Sequence, residues 1–420
     1  MKDTRLGRDV AWNLVPVALL AVVGLGLKIF ITKWWGPAAL GSFNLVTFVM
    51  MSIAILGAGG LQYAVLRAVA EAPDDRERVA SVVVGALMPN VVLAALATVL
   101  FVALRHPVGA LLKSTAVAEG ILWAAPALFC FSLNKVLLGV VNGLRRMRAF
   151  AVYTSLRYLL IATGLVVCRM LEAPAAQLPM IWTIAEGALL VVLIGELLAT
   201  VAVTRAKGWV RHAKQQLDFG LRGVTSTLAY EVNSKLDLWM LQMLLHDERL
   251  AGIYAMASAL FEGAMQLPIV LQNNVNPLIA RHLAERQPEQ VEALARRTRR
   301  WFVPALVVAC GIGALVYPAI IPWLAGSEEI AEGAVPFAIL MGGIALASPW
   351  LPFNQLLLMG GRPGWHTVYV VIVMLVTALV SWQLIPVLGL AGAAIANAAG
   401  IVISASLLVV LGRTKLHVSI

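Results

Sequence analysis

The chain is expected to be an all-α polytopic membrane protein with twelve transmembrane helices arranged as two sets of six. Three features of its 420 residues point there: long apolar runs, basic residues confined almost entirely to alternate connecting loops, and an echo between the two halves. A bilayer core of about 30 Å needs about 20 helical residues. The runs are too long and continuous for the alternating strands of an outer-membrane barrel, and within lipid a helix satisfies its own backbone.

The first run, 9 to 32, follows Lys2, Arg5 and Arg8 and has no small-residue cleavage site after it, so it reads as a retained helix and not a signal peptide. The second, 40 to 66, follows the hairpin KWWGP and stops at Arg67, and the third, 80 to 104, starts beyond Arg76 and Arg78. The fourth, 119 to 143, closes on Arg145, Arg146 and Arg148; the fifth and sixth, 150 to 171 and 178 to 204, lead into Arg205, Lys207, Arg211 and Lys214. After the seventh and eighth, 218 to 245 and 250 to 279, comes the longest loop, 281 to 300, where Pro288, Glu289, Glu292 and a basic run suggest a short surface helix. The ninth is 301 to 325, and the tenth, 332 to 360, contains Pro349 and Pro352. The eleventh and twelfth, 364 to 387 and 390 to 412, end before Arg413 and Lys415.

One set of loops and termini holds 22 lysines and arginines, and the other only Lys33, Arg105, Lys113, Arg169 and Arg249. Because cations are retained in the cytoplasm, both termini are expected there. Attraction of these loops to an anionic leaflet accounts for the net charge of +10, so no nucleic-acid partner is expected. Cys130, Cys168 and Cys310 all lie inside predicted helices and suggest neither a disulfide framework nor a metal knuckle. The sequence contains no phosphate-binding loop, dinucleotide fingerprint or HExxH motif, and its histidines lie in loops or at helix ends. No enzyme activity, cofactor or metal is expected, and the work of the chain falls between its helices.

The halves echo one another. GPAALGSF from Gly36 and ERLAGIY from Glu248 both place a Leu/Ala-Gly-x-aromatic element after a polar hairpin, at an offset of 211; RAVAE from Arg67 matches RHLAE from Arg281 at 214. Asn134 in FSLNKVLLG is echoed by Asn354 in LPFNQLLLM. Six duplicated helices follow, with an N-terminal bundle at 1–204, a cytoplasmic linker at 205–217 and a C-terminal bundle at 218–420. Parallel repeats of this kind recur in transporters.

The stretch from Asp218 to Ala280 resembles the start of the second half of Wzx-type oligosaccharide flippases, which share a superfamily with multidrug-extruding MATE transporters and lipid II flippases. The residues that carry the resemblance are FGLR, Asn233-x-x-x-Asp237, AGIYAMA, Pro277 and Ala280; KWWGPAALGSF and LGAGGLQYAVLRAVAE resemble the matching part of the first half. The resemblance implies two six-helix bundles around a central cavity. It also implies movement of a polyprenyl-diphosphate-linked oligosaccharide from the cytoplasmic to the periplasmic leaflet of the bacterial inner membrane, by alternating access, for surface polysaccharide or lipopolysaccharide biosynthesis. Implied partners are that lipid-linked oligosaccharide, membrane lipids and other glycan-assembly membrane proteins; H+ or Na+ is expected separately, from carboxylates within the runs.

Charged residues within the runs are the candidate site, because a charge at a helix centre costs about 2.5 to 3.5 kcal/mol on insertion scales and faces a cavity or a partner. Lys28, Lys135, Arg157 and Lys235 are the expected diphosphate contacts; arginine adds a planar fork matched to phosphate oxygens. Arg222 lies close enough to a helix end to snorkel. Glu186, Glu231, Asp237 and Glu262 are the expected coupling or gating acids, although the carboxylates and cations could also neutralise one another. Glu231 and Lys235, four apart, either pair along one helix face or set a cationic point in the cavity. Three other readings stand beside the flippase: a cation-coupled multidrug antiporter, in which acids should dominate the site, a membrane glycan polymerase or ligase, and a glycolipid-binding scaffold. A polymerase would need a sizeable extracytoplasmic loop, and the longest here, around 105 to 118, has about 14 residues.

Overall fold

The computed structural model describes residues 2–71 and 74–418; the side chains of 2–21, 205, 222, 223, 225–227, 229, 230, 232–234, 273, 277, 284 and 363 lie outside the described set. Lys2, Arg5, Arg8, Arg205, Arg222, Asn233 and Pro277, all singled out by the sequence, have their side chains there. Among the described residues all regular secondary structure is helical, and ten helices are long and apolar enough to cross a membrane.

The chain divides into two compact units, the first formed by Met1–Trp35 and Ser42–Lys235. It contains most of α1 (Lys2–Ala58), then α2 (Leu61–Glu71), α3 (Arg76–Ala103), α4 (Arg105–Leu112), α5 (Thr115–Gly143), α6 (Met147–Met170), α7 (Met180–Thr200) and α8 (Trp209–Ser234). The first two apolar runs meet in α1, whose only departure from helical backbone is Gly36 at φ 86° and ψ 170°, a conformation essentially reserved for glycine. The expected loop between them is thus a one-residue kink. Asp75 and Ser114 start α3 and α5 by accepting from the amides of Arg78 and Val117 at 3.0 and 2.9 Å.

The core of this unit is built from apolar faces of four helices: Leu61, Val65 and Val69 of α2, Val79 to Ala86 of α3, Val136 to Val140 of α5, and Leu189, Leu193 and Leu197 of α7. Buried Asn90 of α3 donates to the Gly57 carbonyl at 3.0 Å, fixing the end of α1. The sequence assigns 205–217 to a linker and 218 onward to the second bundle. In the structure α8 packs against α3, with Gln216 donating to the Val82 carbonyl at 2.8 Å, and the division between units falls after Lys235.

The second unit comprises Gly36–Gly41 and Leu236–Ile420. Its helices are α9 (Leu236–Leu245), α10 (Glu248–Ala284), α11 (Pro288–Ala325), α12 (Ala334–Ala347), α13 (Leu356–Met359), α14 (Pro363–Leu388) and α15 (Leu390–Leu411). The seventh apolar run therefore breaks at Lys235. The tenth breaks after Ala347, where Pro349 and Pro352 cannot donate backbone hydrogen bonds and a short 3-10 turn, Leu351–Phe353, intervenes before α13. The expected surface helix at 281 to 300 is helical from Pro288, but it continues without interruption into the ninth span as α11. Val275 and Ile279 of α10, Val291 and Ala295 of α11, Phe353, Leu356 and Leu357, Tyr369 of α14 and Leu408 of α15 form the core here. Large apolar side chains such as Val191 and Leu315 stay 72% and 79% exposed, a surface that suits lipid and not water.

Candidate functional site

In the first unit three helices long and apolar enough to cross a membrane bring a polar cluster together. Apolar surroundings on α5, α6 and α7 leave Asn134, Lys135, Arg157 and Glu186 with few partners except one another. Glu186 is fully buried, and Arg157 approaches it as an ion pair, Nε to Oε1 at 2.7 Å, with a hydrogen bond from Nη2 to Oε2 at 3.3 Å. The 2.7 Å approach lacks hydrogen-bond alignment, which leaves Nε and Oε1 as an electrostatic contact only. Asn134 donates to both the Glu186 carboxylate, at 2.8 Å, and the Glu186 carbonyl, at 2.9 Å. Its own Oδ1 is buried with no hydrogen-bond partner among the described residues.

Lys135 and Arg157 share the Phe131 ring: the ammonium lies 4.8 Å and the guanidinium 5.1 Å from its centroid. Both cations thereby gain the attraction of the ring's electron-rich face. Glu231 on α8, Arg157 and Glu186 all act electrostatically on Lys135, so two acids and two cations occupy one neighbourhood. Glu231 and Lys235 are both half-buried and engaged with other groups, but α8 ends at Ser234, so they straddle a helix terminus and not the middle of a helix. Lys28 lies on α1, half-buried, and its carbonyl accepts from the Thr32 hydroxyl at 2.9 Å. Glu196, a further acid on α7, is held by Arg146, the residue before α6, and by the Tyr153 hydroxyl at 2.8 Å.

In the second unit Asp237 opens α9 and is 4% exposed. It accepts from the Tyr254 hydroxyl at 2.7 Å, the Asn397 amide at 2.7 Å and the Leu238 backbone N–H at 2.9 Å. All three donors are neutral, and no ion pair to Asp237 is present among the described residues. Glu262, one helical stretch along α10, approaches the Ser258 hydroxyl at 3.5 Å and acts electrostatically on Tyr254.

The Asn134 echo has a structural counterpart. The Tyr369 hydroxyl donates to Asn354 Oδ1 at 3.4 Å and is hydrogen-bonded to Ser404 on α15. Each unit therefore has a polar node contributed by the equivalents of its fourth, fifth and sixth helices, charged in the first unit and neutral in the second. Sequence reasoning found the charged members but missed Phe131, Tyr254 and Asn397. Neutral side chains in apolar helices carry little signal by themselves, although Tyr254 does stand in the repeated Gly-x-aromatic element.

The profile of a family described as polysaccharide biosynthesis protein matches residues 6–283. The fold is similar to an inward-facing multidrug resistance MATE family transporter of the MOP superfamily, at TM-score 0.81 and 15% identity, with 97% of this chain and 98% of that one covered. It is similar to the lipid II flippase MurJ in an inward closed conformation, at TM-score 0.77 and 12% identity over 96% and 88% of the two chains. A MOP superfamily transporter from Pyrococcus furiosus with a binding pocket of reverse polarity matches at TM-score 0.60 and 14% identity over 97% and 94%. No curated protein sequence matches the chain significantly. The architecture is thus the all-helical MATE-like fold.

Proposed function

Because the chain belongs to the polysaccharide biosynthesis protein family, we propose that it flips a polyprenyl-diphosphate-linked oligosaccharide from the cytoplasmic to the periplasmic leaflet of the inner membrane. The observation that carries this reading is the pair of cations, Lys135 and Arg157, stacked over Phe131 within membrane-spanning helices. A diphosphate crossing the low-dielectric region loses hydration, and cations held at that depth offset the loss. Arg157 is already balanced by Glu186, so Lys135 is the foremost phosphate contact, with Lys28 and Lys235 as further cationic points along the path and Arg157 a fourth. The unused Oδ1 of Asn134 supplies a hydrogen-bond acceptor beside them for a sugar hydroxyl.

Asp237 is the leading coupling acid. A buried carboxylate bonded only by neutral donors has no fixed cation to compete with an incoming H+ or Na+, whereas Glu186 does; Glu262 and Glu231 stand second to it. Both termini lie in the cytoplasm, and alternating access moves the head group while the lipid tail stays in the bilayer.

The test is a deletion strain whose lipid-linked glycans are extracted and sided. Accumulation on the cytoplasmic leaflet, with loss of a surface polysaccharide, is expected to be reversed by the intact gene and not by Lys135→Ala or by Lys235→Ala, Arg157→Ala at equal membrane levels. Full activity of these variants overturns the site assignment. Normal glycans together with new sensitivity to cationic drugs overturn the cargo assignment in favour of a multidrug antiporter.

A further inference from the structure

The second unit carries a groove of about 410 Å³ between α10 and α11, lined by Leu267, Val270, Leu271, Trp301, Phe302 and Ala305, with Asn274 near one end. Both walls are helices long and apolar enough to cross the membrane. Leu267, Val270 and Trp301 are 51%, 58% and 58% exposed, so the groove opens sideways to lipid and not into the protein.

The segment that joins its two walls is strongly basic. Residues 281–300 carry six arginines against three glutamates. Arg281 is paired with Glu285 and Arg296 with Glu292, while Arg299 donates to the Pro349 carbonyl and lies over Trp350. Arg297 and Arg300 have no ion pair among the described residues. They stand three apart on α11, so they are neighbours on its surface, and like charges so placed repel unless an anion lies between them. Arg297, Trp301 and Ala305 follow one another at steps of four, so the arginine lies one turn beyond the indole on the groove's own wall. Apolar trough, interfacial indole and unpaired arginines occur in the order in which a membrane lipid presents chain, glycerol region and phosphate.

We propose that this groove is a specific site for an anionic glycerophospholipid of the phosphatidylglycerol kind, one acyl chain against Leu267, Leu271 and Ala305 and the phosphate between Arg297 and Arg300. The site is separate from the Lys135 cluster and does not depend on the cargo assigned above.

The test is native mass spectrometry of the full-length detergent-solubilised protein, titrated with phosphatidylglycerol or phosphatidylcholine. Phosphatidylglycerol is expected to bind about tenfold more tightly, as two charge-assisted contacts would give. Arg297→Gln, Arg300→Gln removes the preference and leaves the weaker binding, whereas Ala305→Trp, on an exposed position that does not threaten folding, fills the trough and reduces both. Equal binding of the two lipids by the native chain, a preference that survives the arginine substitutions, or displacement of phosphatidylglycerol by an isoprenoid diphosphate at equal concentration would each overturn the proposal.

Discussion

Gly41 and Gly252, equivalent positions of the internal repeat, lie backbone against backbone in the second unit: a Cβ on Gly41 would strike the Glu248 carbonyl, and one on Gly252 would strike the Pro37 carbonyl. Neither obstacle is a flexible side chain, so no rotamer change relieves the clash. Gly252→Ala is expected to cost about 1 to 3 kcal/mol or more through overpacking, read as a lowered melting temperature in detergent. Gly263→Ala, on the same helix with open space around it, serves as the control and should leave melting unchanged or raised.

Glu186 and Arg157 are expected to matter for stability in a way that separates the pair from its parts. Glu186→Ala strands a mostly buried guanidinium and should cost about 3 to 5 kcal/mol, whereas Glu186→Leu with Arg157→Met should recover most of it. Thermal unfolding of the three proteins checks this. Transport by the stable double variant then reports whether Arg157 touches cargo.

Tyr254→Phe removes one of three donors to Asp237 and is expected to cost about 1 to 3 kcal/mol while leaving the carboxylate in place. Asp237→Asn keeps the size of the side chain and removes its charge, and it should abolish dependence of transport on an imposed H+ or Na+ gradient. Vesicle transport with and without the gradient separates the two effects.

His212 gives the first unit a pH dependence outside the membrane-spanning helices. Burial, then the charges of Arg78 and Arg211, push its imidazole below the ordinary 6.5. The unfolded chain therefore takes up a proton near that value while the folded chain does not, so stability is complete above pH 6.5 and falls as pH drops toward the depressed folded value. His212→Gln should flatten that acid-side loss in a series of melting curves between about pH 7.5 and 5.5.

Hydropathy and loop charge made the spans legible, because crossing lipid demands length and apolarity whatever the neighbours are. Breaks within spans were harder to read. Gly36 turns two helices into one bent one through a single backbone conformation, and Lys235 interrupts a run whose composition does not change there. Glu186 was visible as a lone acid in an apolar run, but its partner was not: Lys28, Lys135 and Arg157 were all available by charge, and only packing brought Arg157 to 2.7 Å. The donors to Asp237 come from positions 254 and 397, far apart in the chain and neutral, so no local pattern joins them.

The unequal nodes of the two units also bear on how the protein enters the membrane. Arg157 and Glu186 lie on α6 and α7, consecutive helices joined by nine residues, 171 to 179. Inserted singly, each would take an unbalanced charge into lipid at about 2.5 to 3.5 kcal/mol; inserted together as a hairpin, they enter already neutralised. The corresponding α14 and α15 carry only Tyr369 and Ser404 at their node, and each can partition as an independent helix. Synthesis halted once α6 but not α7 has left the ribosome would thus leave the translocon holding a cationic helix waiting for its partner, a state with no counterpart at the node of α14 and α15.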